Sequence, residues 1–428
     1  MKNELKSEAR FFSHLEFSGN QLVHLPGSVL GSTALVAGTT IGAGILALPT
    51  FTLSAGVVPS TTILIVVWIY TLFSGLLIAE VILSAMRLEG LASIGFLAVV
   101  EKTLGKTGAR IASIAYLFMH YALLVAYITQ GGEILISALM KFWGVSQVLP
   151  PWLGTTTFTV FFGGMMYLGR ERWIQKVNSA FMGMILISFF GLLWLGGGQV
   201  QSTQLLFQDW SAVGSGVSAM FVALFYHNVI PIVVTQLEGD TAKIRQAIIM
   251  GSGIPLLMFL AWNAVILGSI SPHLLGSNSV FDPLQVLRAG GAGEWLGVLV
   301  TVFSELAIVT SFIGFVYGLL DVLKDMSFIT QIVSSRLPLY SLILFPPLSF
   351  GTLNPSIFFI AIDYTGTFSI SVLGVILPAL MSWKQRQQLK LANIMNQPLV
   401  PGGRLTLTVM IAVALVLMGK QIFLIWGS

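Results

Sequence analysis

Two apolar stretches of the chain carry residues that an uninterrupted hydrophobic helix would avoid. The first reads Gly38-Thr39-Thr40-Ile41-Gly42-Ala43-Gly44, with Pro49 shortly after, and the second reads Phe225-Tyr226-His227-Asn228-Val229-Ile230-Pro231. Glycine permits backbone geometries that other residues avoid and proline removes an amide donor, so both stretches predict a broken helix. A break frees N–H and C=O groups, which inside an apolar medium are tolerable only where they face protein, water or a ligand. Freed amides at the start of a second half-helix, around Gly42 to Ile45, suit a carboxylate, because a helix N-terminus carries partial positive charge. Freed carbonyls from both breaks suit an ammonium group. One small zwitterion fits the pair, held by Thr39, Thr40, Ile41, Gly42, Ala43 and Gly44 on one side and by Phe225, Tyr226, His227 and Asn228 on the other. The competing explanation for the glycines is close helix packing, a common use of small residues in membranes.

Other residues add possible coupling chemistry. His227 falls at the centre of its apolar segment, where a neutral imidazole can relay a proton or tie the broken helix to a neighbouring carbonyl. Acids within apolar segments are few: Glu80, Glu305 and Asp363, with Glu133 and Glu238 nearer segment ends. A carboxylate so placed must be protonated, paired or hydrated, and Glu80 and Glu305 are the preferred proton-coupling candidates. Either could instead cap a freed amide. Tyr116, His120 and Tyr127 share one helical face, which walls a pocket for an aromatic side chain or simply packs. Thr310 and Ser311 could ligate sodium together with carbonyls of the first break, or hydrogen-bond across a helix bundle. Cysteine is absent, so thiolate metal sites and disulfides are excluded, and nothing in the sequence calls for a cofactor.

The elements that must position these residues follow from composition. The chain has 428 residues, 55% hydrophobic and only 9% charged, against roughly a quarter charged in soluble domains. Its apolar residues fall in blocks of about twenty or more, the length a helix needs to cross a bilayer. The blocks predict an all-α integral membrane protein with about eleven transmembrane helices: near 31–55, 59–86, 110–138, 150–168, 173–198, 212–238, 243–270, 295–323, 338–352, 356–382 and 405–427. The ninth is short and interrupted by Pro346 and Pro347.

Charge supports this arrangement. With the N-terminus inside, 18 of the 21 Lys and Arg residues fall on the cytoplasmic side, leaving Lys141, Arg288 and Lys420 outside, as positive-inside topology requires. That distribution explains the pI near 9.2 without nucleic acid as a partner; the environment is the lipid bilayer. Residues 1–30 mix Lys2, Lys6 and Arg10 with Glu4, Glu8 and Glu16 and read as a cytoplasmic tail rather than a signal peptide. The transporter domain then occupies 31–428. The two breaks fall in spans one and six, five spans apart, so repeats beginning at each run in opposite directions. Interrupted segments at corresponding positions of two halves point to an inverted-repeat transporter with its site where the breaks meet. Repeat one covers about 31–198, repeat two about 212–382, and one extra helix about 405–427.

The stretches "AGTTIGAGILALP" and "FYHNVIPIVVTQLEGDTAKIRQAIIMGSGIP", the latter from Phe225 to Pro255, resemble the hydroxy and aromatic amino acid permeases, especially the tyrosine/tryptophan permease branch. The likeness covers most of the chain from about residue 28, and eleven spans is that family's usual number. The Gly-rich opening alone is shared with the wider amino acid/polyamine/organocation superfamily. The resemblance implies a leucine-transporter type fold of five plus five helices, residence in a bacterial plasma membrane, and proton-driven uptake of an amino acid, with tyrosine or tryptophan as expected substrates. It carries Gly42, Gly44, His227 and Pro231 over as site or hinge positions. One departure stands out: several bacterial members read like Phe-Gly-Phe-His where this chain has Leu224-Phe225-Tyr226-His227. A bulky Phe225 narrows the pocket or stiffens the break, which tells against an indole-sized substrate.

The expected function is therefore amino acid:proton symport, with no enzymatic activity. A sodium-coupled carrier of another small neutral amino acid stays open on Thr310 and Ser311. Short loops and the lack of a nucleophile-base or metal-ligand cluster argue against an integral-membrane enzyme, and no charge ring or carbonyl filter suggests a channel. Oligomeric state is not fixed by the sequence.

Overall fold

The computed structural model describes residues 15–18, 21–24, 27–89, 93–144, 149–270, 284, 287, 293–325, 336–391 and 398–427. Most of the expected tail, including Lys2, Lys6, Arg10, Glu4 and Glu8, and the outer-side Arg288 lie outside these residues. Each of the eleven expected spans coincides with helical structure. Eight stretches are long and apolar enough to cross a membrane, or nine when the bent pair Val29–Thr40 and Gly44–Thr52 is taken as one span. The other two are span four, split by a π-helical turn at Thr159–Gly163, and span nine, Arg336–Leu353, with Pro346 and Pro347 inside it. The tail adds one departure from the all-helical expectation: an antiparallel hairpin pairing Leu15–Ser18 with Gln21–His24.

Sequence signals account for the termini. Span one (Val29–Thr52) begins at Ser28, whose hydroxyl accepts the Gly31 amide at 2.9 Å, a side-chain N-cap of ordinary form. Span six ends in a turn where Glu238 (φ 51°) and Gly239 (φ 72°) are both left-handed. Asp240 then caps span seven (Thr241–Ser269) by accepting the Lys243 amide at 3.2 Å. Span three is the longest helix, Phe96–Trp143, and Gly105 at φ 80° kinks its first third. Only glycine takes that geometry at low cost.

Spans one and six pack into the middle of the bundle against spans two, seven and ten. Close approaches use missing side chains. A Cβ at Gly251 would lie 2.6 Å from Val36, so span seven sits directly on the first half of span one. A Cβ at Gly75 would lie 2.9 Å from the Tyr226 hydroxyl, which brings span two (Val57–Glu89) onto the second break.

One end of the bundle is fastened by cations. Arg87 donates to the Gly239 carbonyl at 3.3 Å and Arg245 to the Leu399 carbonyl at 3.0 Å. Arg386 grips Glu80 through Nε–Oε1 at 2.6 Å and Nη2–Oε2 at 2.8 Å, and the Leu399 amide donates to the same carboxylate at 2.8 Å. The segments that the sequence places on one side of the membrane thus converge at one end of the fold. Glu80, one of the two expected coupling carboxylates, is thus found in its paired form. Its carboxylate is buried and engaged in an ion pair that ties span two to the end of span ten.

Candidate functional site

Both breaks are present. Span one bends by 53° between its halves, with Ile41 extended (φ −76°, ψ 97°) at the end of the first half. In span six, the helix Val217–Ala223 stops at Leu224. A single 3-10 turn, His227–Val229, then leads into Ile230–Gln236, whose first turn contains Pro231. Proline suits that position because its missing amide would have had no helical partner. The breaks touch: a Cβ at Gly44 would lie 2.7 Å from the Cα of Ala223. The second half-helix of span one therefore begins beside the end of the first half-helix of span six, which sets a positive helix N-terminus next to freed carbonyls, the geometry that a zwitterion cradle requires.

The polar groups of the first break divide by role. Thr39 and Thr40 donate their hydroxyls to the Leu35 and Val36 carbonyls, each at 2.8 Å. Ile45 and Leu46 close tight turns onto the Gly42 and Ala43 carbonyls at 3.2 and 3.1 Å. The Ala43 amide donates to the Ser311 hydroxyl at 2.9 Å. Gly42 and Gly44 are left with amides that have no hydrogen-bond partner among the described residues, and so remain available to an anion. The sequence-based expectation of a free run of amides from Gly42 to Ile45 narrows accordingly.

Ser311 is the residue whose importance the sequence understated. Its Oγ lies 2.5 Å from where a Cβ on Gly42 would stand, and it also interacts with the Tyr127 phenol. Span eight (Glu294–Asp325) and span three thereby reach the first break through one hydroxyl. Tyr127 is buried, with its ring edge-on to Phe315 at 5.6 Å. Tyr116 and His120, on the same face, stack at 4.0 Å, and His120 abuts Phe315 at 4.9 Å. The stripe is mostly packing between spans three and eight, but its ends reach the site: Tyr127 at Ser311 and Tyr116 in the cavity described next. Thr310, the other sodium candidate, donates back to the Ala307 carbonyl at 3.1 Å. Glu305 is half-buried, less than two turns before Ser311,.

At the second break, His227 is buried between the rings of Phe225 and Tyr226, both at 5.1 Å. Neither ring nitrogen has a hydrogen-bond partner among the described residues. A buried polar group without a partner is costly, and in native proteins it marks a functional position or a ligand's place. The Tyr226 hydroxyl reaches the Thr71 carbonyl at 3.3 Å and anchors the break to span two. Asn228 is exposed. Phe225, His227 and Asn228 line a cavity of about 330 Å³ with Phe96, Tyr116 and Leu373. The cavity runs from the break toward the cation-fastened end, and its volume is that of a small-molecule pocket.

The model of the tryptophan/tyrosine permease family matches residues 26–421. The tyrosine-specific transport system 1 of Haemophilus influenzae is 31% identical over 91% of this chain and 95% of its own length. Glutamine transporter 2 of Aliivibrio fischeri is 25% identical over 92% and 99%. Among solved structures, MhsT in complex with L-phenylalanine superposes with a TM-score of 0.60 at 14% identity, over 92% of this chain and 100% of that one. That similarity carries the fold, which is the leucine-transporter type. The chain belongs to the tryptophan/tyrosine permease family and is a multi-pass membrane transporter, not an enzyme.

Proposed function

We propose that this permease is an amino acid:proton symporter for an aromatic substrate, tyrosine or tryptophan, in a bacterial plasma membrane with its N-terminus in the cytoplasm. The observation that carries the reading is the contact of the two breaks at Gly44 and Ala223, beside a buried imidazole that faces a cavity. The substrate carboxylate meets the Gly42 and Gly44 end of the first break. Its ammonium meets the carbonyls around Phe225 to Asn228, and its ring lies among Phe225, Tyr116 and Tyr127. Gly42, Gly44 and Pro231 are the hinges on which spans one, two, six and seven rock against the rest. The repeats take the bounds 31–198 and 212–382, with 405–427 as the extra helix, and His227 and Glu305 remain coupling candidates. The named substrates of the relatives support the side-chain class.

In proteoliposomes, labelled tyrosine is expected to accumulate under an imposed inward proton gradient and not under a sodium gradient alone. Uptake indifferent to both gradients would overturn symport. The second reading, a sodium-coupled carrier of a small neutral amino acid, draws on Ser311 at the first break and on the glutamine transporter among the relatives. Sodium-dependent uptake of glutamine that tyrosine does not inhibit would favour it.

Phe225 sets the width of the cavity beside His227. Replacing it with glycine removes a stacked ring and opens space where an indole's second ring would lie. Phe225→Gly is expected to raise tryptophan uptake relative to tyrosine by roughly tenfold, about the 1.4 kcal/mol that a few buried carbons contribute. Competition between the two labelled substrates measures it, and an unchanged ratio would place the side-chain pocket elsewhere.

A further inference from the structure

A second cavity, of about 520 Å³, lies at the opposite end of the fold, where Lys420 is the only Lys or Arg lining it among the described residues. It is bounded by the outer half of span one (Phe51, Ser54), the start of span six (Ser215, Ser218), span ten (Asp363, Thr367) and the extra helix, Gly403–Gly427 (Lys420, Gln421). Asp363 is the half-buried acid that lines this cavity, and its hydrogen-bond partners among the described residues are all neutral. Its Oδ1 accepts the Ser218 hydroxyl in a short hydrogen bond, and its Oδ2 accepts the Gln421 amide at 2.8 Å. Among the described residues it forms no ion pair, and Lys420, though in the same cavity, is not bonded to it. This is the opposite of Glu80, whose charge is cancelled by Arg386. A carboxylate at membrane depth with only neutral donors and access to water is a group that can exchange a proton.

Its position also joins moving and fixed parts. Ser218 belongs to the half-helix that ends at the second break, and span ten presses against that half-helix so closely that a Cβ at Gly366 would collide with the Ser218 carbonyl. Span ten is π-helical over Thr365–Ile370 and Val372–Ile376, a distortion that loosens the backbone ladder and recurs at functional sites. Thr367 and Ser371 follow Asp363 at helical steps of four. Ser371 is fully buried and its hydroxyl has no partner among the described residues. A Cβ at Gly374 would stand 3.7 Å from Cε1 and Nε2 of His227. One face of span ten thus leads from the outer cavity to the imidazole in the inner one.

We infer that Asp363 is the proton-binding residue of the transport cycle, loaded from the outer cavity, and that its protonation state controls the latch between span ten and the outer half of span six through Ser218. The inference rests on the proton-symport reading. In the step itself, one proton leaves water in the outer cavity and forms an O–H bond on the Asp363 carboxylate, which then no longer accepts from Ser218 at that oxygen. On release the Asp363 O–H bond breaks and the proton forms an O–H bond on a water, which carries it along this face of span ten to water of the inner cavity, so that the carboxylate is regenerated and one proton has crossed. The titratable groups facing Asp363 are Lys420 on the extra helix and Tyr364 beside it in sequence. The neighbouring half-helices of spans one and six contribute none.

The test uses the purified full chain in proteoliposomes with an internal pH dye. Wild type is expected to take up protons when tyrosine is added, whereas Asp363→Asn is expected to lose that signal and at least tenfold of its gradient-driven accumulation. The variant should keep tyrosine exchange between preloaded and external pools, and Asp363→Glu should restore coupling. In parallel, dicyclohexylcarbodiimide, which reacts with protonated intramembrane carboxyls, is expected to modify wild-type Asp363, faster in acid than in alkaline buffer, and to leave Glu80 unmodified. A wild type without tyrosine-induced proton uptake overturns the symport reading and this inference with it. A coupled wild type whose Asp363→Asn variant stays coupled, or whose carbodiimide adduct lies on another acid and not on Asp363, overturns the assignment of Asp363 alone.

Discussion

Gly42→Leu is expected to weaken amino acid binding at least about a hundredfold, ~2.7 kcal/mol, while the protein still folds and purifies as a monodisperse species. Among the described residues, its chain neighbours aside, the only atom within 3.5 Å of a Cβ at Gly42 is the Ser311 Oγ, at 2.5 Å; the next is the Ser311 Cβ at 3.8 Å. The collision is therefore with one small, rotatable hydroxyl, and the fold can yield there. The cradle cannot, because a leucine side chain then stands where the substrate carboxylate must come. The same geometry predicts a rescue. Gly42→Ala alone should lose affinity, and adding Ser311→Ala should return part of it, since the obstacle and the intruding methyl are then matched. Scintillation-proximity binding of labelled tyrosine measures both. Undiminished binding by Gly42→Leu would remove the first break from the site.

Removing the Glu80 side chain is expected to act on stability instead. Arg386 holds Glu80 bidentately, with 18% of the Arg386 side chain and 2% of the Glu80 side chain exposed. Breaking a buried pair by deleting one partner leaves the other charge uncompensated, at about 3–5 kcal/mol. Glu80→Ala should thus lower the thermal midpoint in detergent by several degrees. Glu80→Leu combined with Arg386→Met should recover most of the loss, because neither partner is then stranded. A Glu80→Ala protein of wild-type stability that has lost only its proton dependence would return Glu80 to a coupling role.

The sequence exposed what depends on residue type along a single segment. Apolar blocks and their charged ends located the helices, and Gly42, Gly44 and Pro231 marked both breaks because the backbone needs those residues there. Hidden features depend on partners distant in the chain. Glu80 meets Arg386 across 306 positions, and Ala43 meets Ser311 across 268. The inside location of Arg386 and the nearness of Glu80 to the cytoplasmic end of span two were nonetheless hints of their pairing. The π-helical turns of span ten had no signal at all, since Thr365-Gly366-Thr367-Phe368 suits an α-helix equally well. Asp363 was visible as a rare acid, but its neutral partners and its cavity were not, so nothing ranked it above Glu80 or Glu305. Nor could the sequence show that the hydroxyls of Thr39 and Thr40 donate back onto their own helix.

The cradle itself is tested most directly by a structure of the permease with tyrosine bound. The account predicts the substrate carboxylate within hydrogen-bond distance of the Gly42 and Gly44 amides, and its ammonium against carbonyls between Phe225 and Asn228. Tyrosine bound with its carboxylate and ammonium away from both breaks would contradict it.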